Sequence, residues 1–115
     1  MLNNMEAQKY LDGNPIVKKF IDEVNEKIER YYKIHLPSLT FNPVKVTIGK
    51  KFIGITHNSS RWGFISRVDG VHKGAPIRKG DLMKPANWIS PSKHSRGNII
   101  DGTAKWDVYG PEYLK

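Results

Sequence analysis

The first third of the chain has the apolar spacing of an amphipathic helix. Apolar side chains recur every three or four residues over 15–34, which aligns them in one stripe. The stripe consists of Val17, Phe20, Ile21, Val24, Ile28 and Tyr31. Asn14 is a favourable N-cap, and Pro15 suits the first position because its missing N–H needs no partner there. We predict a helix over 15–34, preceded by a shorter helical turn over Met5–Leu11 that Gly13 ends.

Beyond Pro43 the apolar spacing shortens toward two, which is typical of β-strands. Two short strands flank Gly49, where two lysines mark a turn or bulge. Their apolar members are Val44, Val46, Ile48, Phe52, Ile53 and Ile55. In a third strand over 61–68, Trp62 and Phe64 are two residues apart and so share one face. We predict that both rings belong to the core beneath the helix, rather than to an exposed surface on which bases stack.

Turn-forming residues divide the rest of the chain into short segments. Asp69-Gly70 predicts a hairpin turn, and the glycine- and lysine-containing stretch 71–80 predicts an exposed basic loop. A further strand is expected at 81–84, and two more over 98–101 and 105–109.

The segment before these last strands begins and ends with residues that are typical of helix ends. Ser90 is a favourable N-cap, a proline follows at the first position, and Gly97 suits a left-handed C-terminal stop. We therefore predict a short helix over 91–96. Trp88 and Trp106 are expected to be buried, holding this irregular part together.

These elements predict a single α+β domain over 1–115, with a helical part over 1–35 and a β-rich part over 36–115. The N-terminal amphipathic helix packs across one face of an antiparallel sheet of three to five strands. The 115 residues include no cysteine, so disulfides and thiolate chemistry are excluded. No apolar run approaches the roughly 18 residues of a membrane span, and the N-terminus resembles no leader, so we expect a cytosolic protein without membrane contact.

The charge is distributed unevenly along the chain, whose formal net charge is +8. Residues 1–35 contain six basic and six acidic side chains, whereas residues 36–115 contain thirteen basic and five acidic ones. A neutral part followed by a basic part indicates binding to nucleic acid or another polyanion. The N-terminus of the predicted helix at 91–96 would add a site for phosphate. The candidate anion-binding residues are Lys50, Lys51, Arg61, Arg67, Lys84, Lys93, His94 and Arg96.

Motifs for catalysis are weak in this sequence. The four histidines lack the spacing of metal ligands, and no nucleophile elbow, phosphate-binding loop or dinucleotide fingerprint is present. We therefore predict no catalytic residue, metal or cofactor. One enzymatic alternative stays open: His94, beside Lys93 and Arg96, could act as a general acid in a small nuclease, with Asp101 as its partner.

The C-terminal half carries a pattern of residues that resembles a group of small, uncharacterised phage-encoded proteins. The pattern consists of Gly80-Asp81, Lys84, Ala86, Trp88, Pro91, Lys93, Arg96-Gly97-Asn98-Ile99 and the ending Tyr109-Gly110-x-x-Tyr113-Leu114. It covers about 60–115 and excludes the N-terminal helix. The resemblance implies a phage or prophage origin, action in a bacterial host cytoplasm or in a virion, and a binding role rather than an enzymatic one.

The sequence thus predicts a phage-type protein that binds an anionic partner without turnover. Our leading hypothesis is nucleic acid, held through phosphate contacts over 45–96, with steep salt dependence and little sequence specificity. The alternative is a virion component or an inhibitor of a host defence or replication protein, with a nucleotide as one candidate anion. The oligomeric state is left open.

Overall fold

Two helices form the N-terminal part of the molecule. A computed structural model describes residues 4–112, and it places α1 at Asn4–Asp12 and α2 at Pro15–His35. The long helix and the shorter one before it are therefore confirmed. Asn14 occupies the N-cap position of α2, but its side-chain amide donates to the carbonyl of Tyr10 at 2.7 Å. The Asn14 side chain thus closes the end of α1 instead of capping α2.

The β-rich part consists of one antiparallel sheet of five strands and two small hairpins. The strands of the sheet are β1 Lys45–Ile48, β2 Phe52–His57, β3 Ser60–Ser66, β6 Asp81–Pro85 and β7 Pro91–Asn98. They lie side by side in the order β1-β2-β3-β6-β7. One hairpin pairs β4 (Gly70–His72) with β5 (Ala75–Ile77), and the other pairs β8 (Trp106–Asp107) with β9 (Gly110–Pro111).

The main core lies between α2 and one face of the sheet, which we call the helix face. The buried stripe of α2 packs against residues that stand side by side on neighbouring strands. The stripe contributes Phe20, Ile21, Val24 and Ile28, and the sheet contributes Ile53, Ile55, Ile65 and Leu82. The predicted α+β arrangement, with the long helix across an antiparallel sheet, is confirmed.

A β-bulge in β3 separates the two aromatic residues of that strand. Between consecutive residues of β2, the partner in β3 moves from Gly63 to Arg61, which makes Trp62 the extra residue. The Trp62 ring lies on the helix face, 6.3 Å from that of Phe20, whereas Phe64 belongs to a second, smaller cluster on the opposite face. Both rings are buried, as predicted. The prediction that they share a face is wrong, because a bulge shifts the alternation by one residue.

Residues 91–98 form strand β7, so the predicted short helix over 91–96 is wrong. Pro91 pairs with Pro85 at the beginning of the strand, where a missing N–H is tolerated. Gly97 has a positive φ of 95°, but it does not end a helix. It allows the backbone of Thr103 to come close, because a Cβ at Gly97 would overlap the Thr103 carbonyl. The pairing with β6 therefore overrides the local helix signals, and the helix N-terminus proposed for phosphate does not exist.

Two turn predictions also differ from the structure. Strand β3 pairs with β6 rather than with the segment after Asp69-Gly70, so that dipeptide is not the turn of a hairpin built on β3. The hairpin turn instead lies at Lys73-Gly74, where both residues have positive φ. Residues 71–80 therefore contain most of a small hairpin, rather than the open loop that was predicted. After β7, the expected strand over 98–101 is largely a turn, and only Trp106–Asp107 of 105–109 is extended and paired.

Candidate anion-binding groove

The face of the sheet turned away from α2, which we call the open face, carries a groove of about 680 Å³. Its floor includes Thr47 on β1, Gly54 on β2 and Phe64 on β3. One side is the turn 49–51 between β1 and β2, and the other is the tip of the β6–β7 loop at 88–89. Strands β1, β2 and β3 thus form the floor of the groove, and two loops form its sides.

Four of the eight predicted anion-binding residues line this groove, namely Lys50, Lys51, Arg61 and Arg67. Lys50 is exposed and the other three are half-buried. No aspartate or glutamate of the described chain lines the groove, and within 6–112 none of the four cations forms a salt bridge. Their positive charge is therefore uncompensated by nearby carboxylates and attracts an anion.

Arg61 is the most firmly positioned cation of the groove. Its Nη1 donates to the hydroxyls of Thr47 and Thr56 at 3.3 and 3.1 Å, and its Nε donates to the carbonyl of Trp88 at 3.0 Å. Gly54 provides the space for this side chain, because a Cβ there would overlap the guanidinium. Burial lowers the pKa of Arg61 from its ordinary value, yet an arginine stays protonated in proteins.

The prediction that Trp88 is buried is wrong, because its side chain is 51% exposed at the edge of the groove. The Arg61 guanidinium lies 4.6 Å from the Trp88 ring centre and 5.0 Å from that of Phe64, so it contacts both rings. The loop around Trp88 is shaped by Asn87, whose side-chain oxygen accepts the backbone N–H of Ile89 at 2.9 Å. Ile89 itself is 85% exposed.

Lys51 and Arg67 are held by neutral groups. Lys51 Nζ donates to the carbonyl of Val71 at 2.7 Å. Arg67 donates through Nη1 to the carbonyl of Gly49, and its guanidinium lies 4.8 Å from the centre of the Tyr10 ring. These contacts fix the two side chains while leaving their net charge in place.

The other four predicted binding residues do not line the groove. Lys84 and Arg96 donate to backbone carbonyls of the segment 111–112, at 3.3 and 2.7 Å, and burial lowers the pKa of Arg96. Lys93 and His94 are exposed on β7, the strand at the opposite end of the sheet from β1. The eight candidates therefore separate into four around the groove and four near the other sheet edge.

Two polar residues of the phage-protein pattern form a buried link between β6 and β7. Asp81 and Asn98 are each 3% exposed, and the Asn98 amide donates to the Asp81 carboxylate and to the Lys79 carbonyl, both at 2.9 Å. The Asp81 carboxylate also accepts the backbone N–H of Arg78 at 2.8 Å, and Asn98 Oδ1 accepts that of Ile100 at 2.7 Å. These residues are therefore part of the packing of the fold. Two others of the pattern, Tyr113 and Leu114, lie outside the described residues.

The residues suggested for a nuclease are not assembled into a pair. The Asp101 carboxylate accepts hydrogen bonds from Thr103 and, at 3.2 Å, from Arg78, and these contacts lower its pKa. His94 makes no hydrogen bond to it in the described chain. Among the described residues, no group of three or more histidines and carboxylates is arranged to hold a metal ion.

Comparison of the chain with protein-family models, with curated proteins and with solved structures gave no match. In the part of the chain that the structure describes, no helix combines the length and the apolar character needed to cross a membrane.

Proposed function

We propose that this protein binds nucleic acid through phosphate contacts in the groove, without turnover. The observation that carries the proposal is the set of four cations, Lys50, Lys51, Arg61 and Arg67, around a groove without carboxylates. Because their present partners are neutral hydroxyls, carbonyls and rings, a phosphate would not have to displace a salt bridge. Charge-assisted hydrogen bonds to phosphate are among the stronger contacts that such side chains make.

Binding by phosphate contacts has a measurable signature in its salt dependence. Each neutralised phosphate releases counterions, so the logarithm of the affinity falls linearly with the logarithm of the salt concentration. For four contacts the slope is expected to be about −3 to −4. The sequence contains no known base-reading motif, so we expect affinity to vary little with nucleotide sequence.

The setting of this activity is part of the proposal. The resemblance of residues 60–115 to phage-encoded proteins supports a role in an infected bacterial cell or in a virion. Nucleic acid is present in both settings, so the proposal holds for either.

Fluorescence anisotropy of a labelled oligonucleotide tests the proposal. The groove variant is Lys50→Gln with Lys51→Gln, which removes two positive charges from the groove and keeps polar side chains there. The matched control is Lys19→Gln with Lys33→Gln, which removes the same charge from exposed positions on α2. We expect the groove variant to lose affinity about tenfold or more and to show a salt slope shallower by about 1.5 to 2. The control should keep most of the affinity and most of the salt slope.

Two results would contradict the proposal. If micromolar protein gives no anisotropy change at low salt, nucleic acid is not the partner. The alternative partner, a host or virion protein, is then favoured. Equal losses in the groove variant and in the α2 control would show that binding follows overall charge and not the groove.

A further inference from the structure

An exposed tryptophan stands directly beside the cationic groove. Of the three tryptophans, Trp62 is buried and Trp106 is half-buried, whereas Trp88 is 51% exposed at the loop tip. A large aromatic ring exposed to water loses the free energy that burial would give, unless a partner covers it. Ile89, which follows Trp88, is 85% exposed and lengthens the apolar edge of the groove.

The Trp88 ring is held in place before any ligand arrives. The backbone carbonyl of Trp88 accepts a hydrogen bond from Arg61 Nε at 3.0 Å. The guanidinium of Arg61 lies over the Trp88 ring, 4.6 Å from the ring centre. The loop is closed by a backbone bond from Ala86 to Ser90 at 3.0 Å and by the Asn87 side chain, which accepts two backbone N–H groups. With one side of the ring against Arg61, the exposed part of its surface is free for a second stacking partner.

From this arrangement we propose that the ligand is single-stranded nucleic acid, with an unpaired base stacked on Trp88. This inference rests on the proposed function, and it adds the class of nucleic acid and the residue that selects it. The uncompensated cations of the groove require a polyanion, and the exposed ring requires a flat apolar group on the same ligand. Single strands offer both, because their bases are unstacked and accessible, whereas a duplex keeps its bases inside.

The other occupants of such an edge fit less well. A protein segment could cover Trp88 and Ile89, but it would have to bring acidic side chains for four cations as well. A lipid surface would match the charge, yet three of the four cations are half-buried around a groove rather than exposed on a flat face. A single strand brings phosphates for the cations and a base for the Trp88 ring on one ligand.

The test compares a labelled single strand of mixed sequence with its duplex, the strand being long enough to stay paired at low salt. Both ligands are measured with wild type, Trp88→Ala, Trp88→Phe and the control Ile34→Ala. Ile34 is 66% exposed on α2, away from the groove, so its truncation removes apolar surface without touching the site. We expect wild type to prefer the single strand, and Trp88→Ala to weaken single-strand binding by about tenfold, as loss of one base–aromatic stack does. Trp88→Phe should retain most of the affinity, and Ile34→Ala should behave as wild type.

Two further readouts separate stacking from phosphate binding. The salt slope of Trp88→Ala should equal that of wild type, because no phosphate contact is removed. Intrinsic tryptophan fluorescence should be quenched by the single strand in wild type, and this quenching should disappear in Trp88→Phe.

Equal affinity for the single strand and the duplex, or unchanged binding by Trp88→Ala, would overturn this inference. The proposed function would survive that result if Lys50→Gln with Lys51→Gln still bound more weakly than wild type and with a shallower salt slope. An equal loss by Trp88→Ala on both ligands would also overturn the inference, because the ring would then act only by positioning Arg61. If neither ligand binds wild type at low salt, both proposals fail together.

Discussion

Charged side chains have different partners in the groove and at the link between β6 and β7. At the link, the carboxylate of Asp81 is almost fully buried and receives hydrogen bonds from Asn98 and from the backbone of Arg78. In the groove, Arg61 and Lys51 are oriented by neutral acceptors, and their charge has no carboxylate beside it. A charge whose partners lie within the chain stabilises the fold, whereas an uncompensated one is available to a ligand.

This difference separates the residues of the phage-protein pattern from the residues of the proposed site. Asp81, Asn98 and Gly97 belong to the pattern, and they maintain the contact between β6, β7 and the following turn. None of the four groove cations is a pattern residue. Trp88 is the pattern residue that lines the groove. The residues that carry the resemblance therefore contribute more to the fold of this chain than to the groove.

The largest effect is expected at the buried link. Asn98→Ala leaves the Asp81 carboxylate buried without its side-chain donor and should lower the free energy of unfolding by about 3 kcal/mol. Urea denaturation followed by circular dichroism measures this change. Asn42→Ala, at an exposed position, is the control and should stay within about 0.5 kcal/mol of wild type. Oligonucleotide binding by the fraction that stays folded should be unchanged, and a stable but non-binding Asn98→Ala would remove the distinction between the two regions.

A second prediction concerns the groove and is intermediate in size. Gly54→Ala places a methyl group against the Arg61 guanidinium and 2.7 Å from Thr47 Oγ1, so Arg61 must leave its present position. The Arg61 guanidinium is the end of a flexible side chain and can move away, and Thr47 can withdraw its Oγ1 by a change of χ1 rotamer. We therefore expect the fold to persist. Affinity for the oligonucleotide should fall about tenfold, equivalent to about 1.4 kcal/mol.

The control for that substitution is Gly70→Ala, because nothing lies within 4 Å of a Cβ at this position. It should bind as wild type does. If folded Gly54→Ala binds with full affinity, the placement of Arg61 is irrelevant to the ligand. The proposed role of this side chain would then be wrong.

Long periodic segments could be predicted from the sequence, whereas features set by contacts between distant strands could not. The stripe of α2 extends from Val17 to Tyr31, about four helical turns, so no single neighbour decides its structure. At 91–98 the signals are short, and pairing with β6 overrides them. The bulge at Trp62 has no local signal, and it alone decides which face of the sheet each aromatic residue occupies.

The groove was predictable in its charge but not in its shape. Lys50, Lys51, Arg61 and Arg67 follow from counting basic residues, but sequence spacing does not show that they meet while Lys93 and His94 lie elsewhere. One signal was available: Gly54, between two isoleucines of a strand, is typical of a close approach by another group. Here that group is the side chain of Arg61.

The smallest predicted effect tests a polar group that belongs to neither region. His57, at the end of β2, has its Nε2 buried without a hydrogen-bond partner in the described chain. Its ring lies 6.0 Å from that of Tyr32 and 6.5 Å from that of Phe41. Burial lowers the pKa of this imidazole, so the folded state takes up a proton less readily than the unfolded state. The contribution to stability is therefore complete above the unfolded pKa of about 6.5 and is lost as the pH falls from there toward the folded pKa.

Melting temperatures at pH 7.5 and 5.5 measure this dependence. Wild type should lose more stability on acidification than His57→Gln, in which the titrating group is absent. The control His94→Gln removes an exposed histidine and should keep the pH dependence of wild type. Equal pH dependence in wild type and His57→Gln would show that the fold accommodates the charged imidazole. Burial of Nε2 without a partner in the described chain would then have no measurable effect on stability.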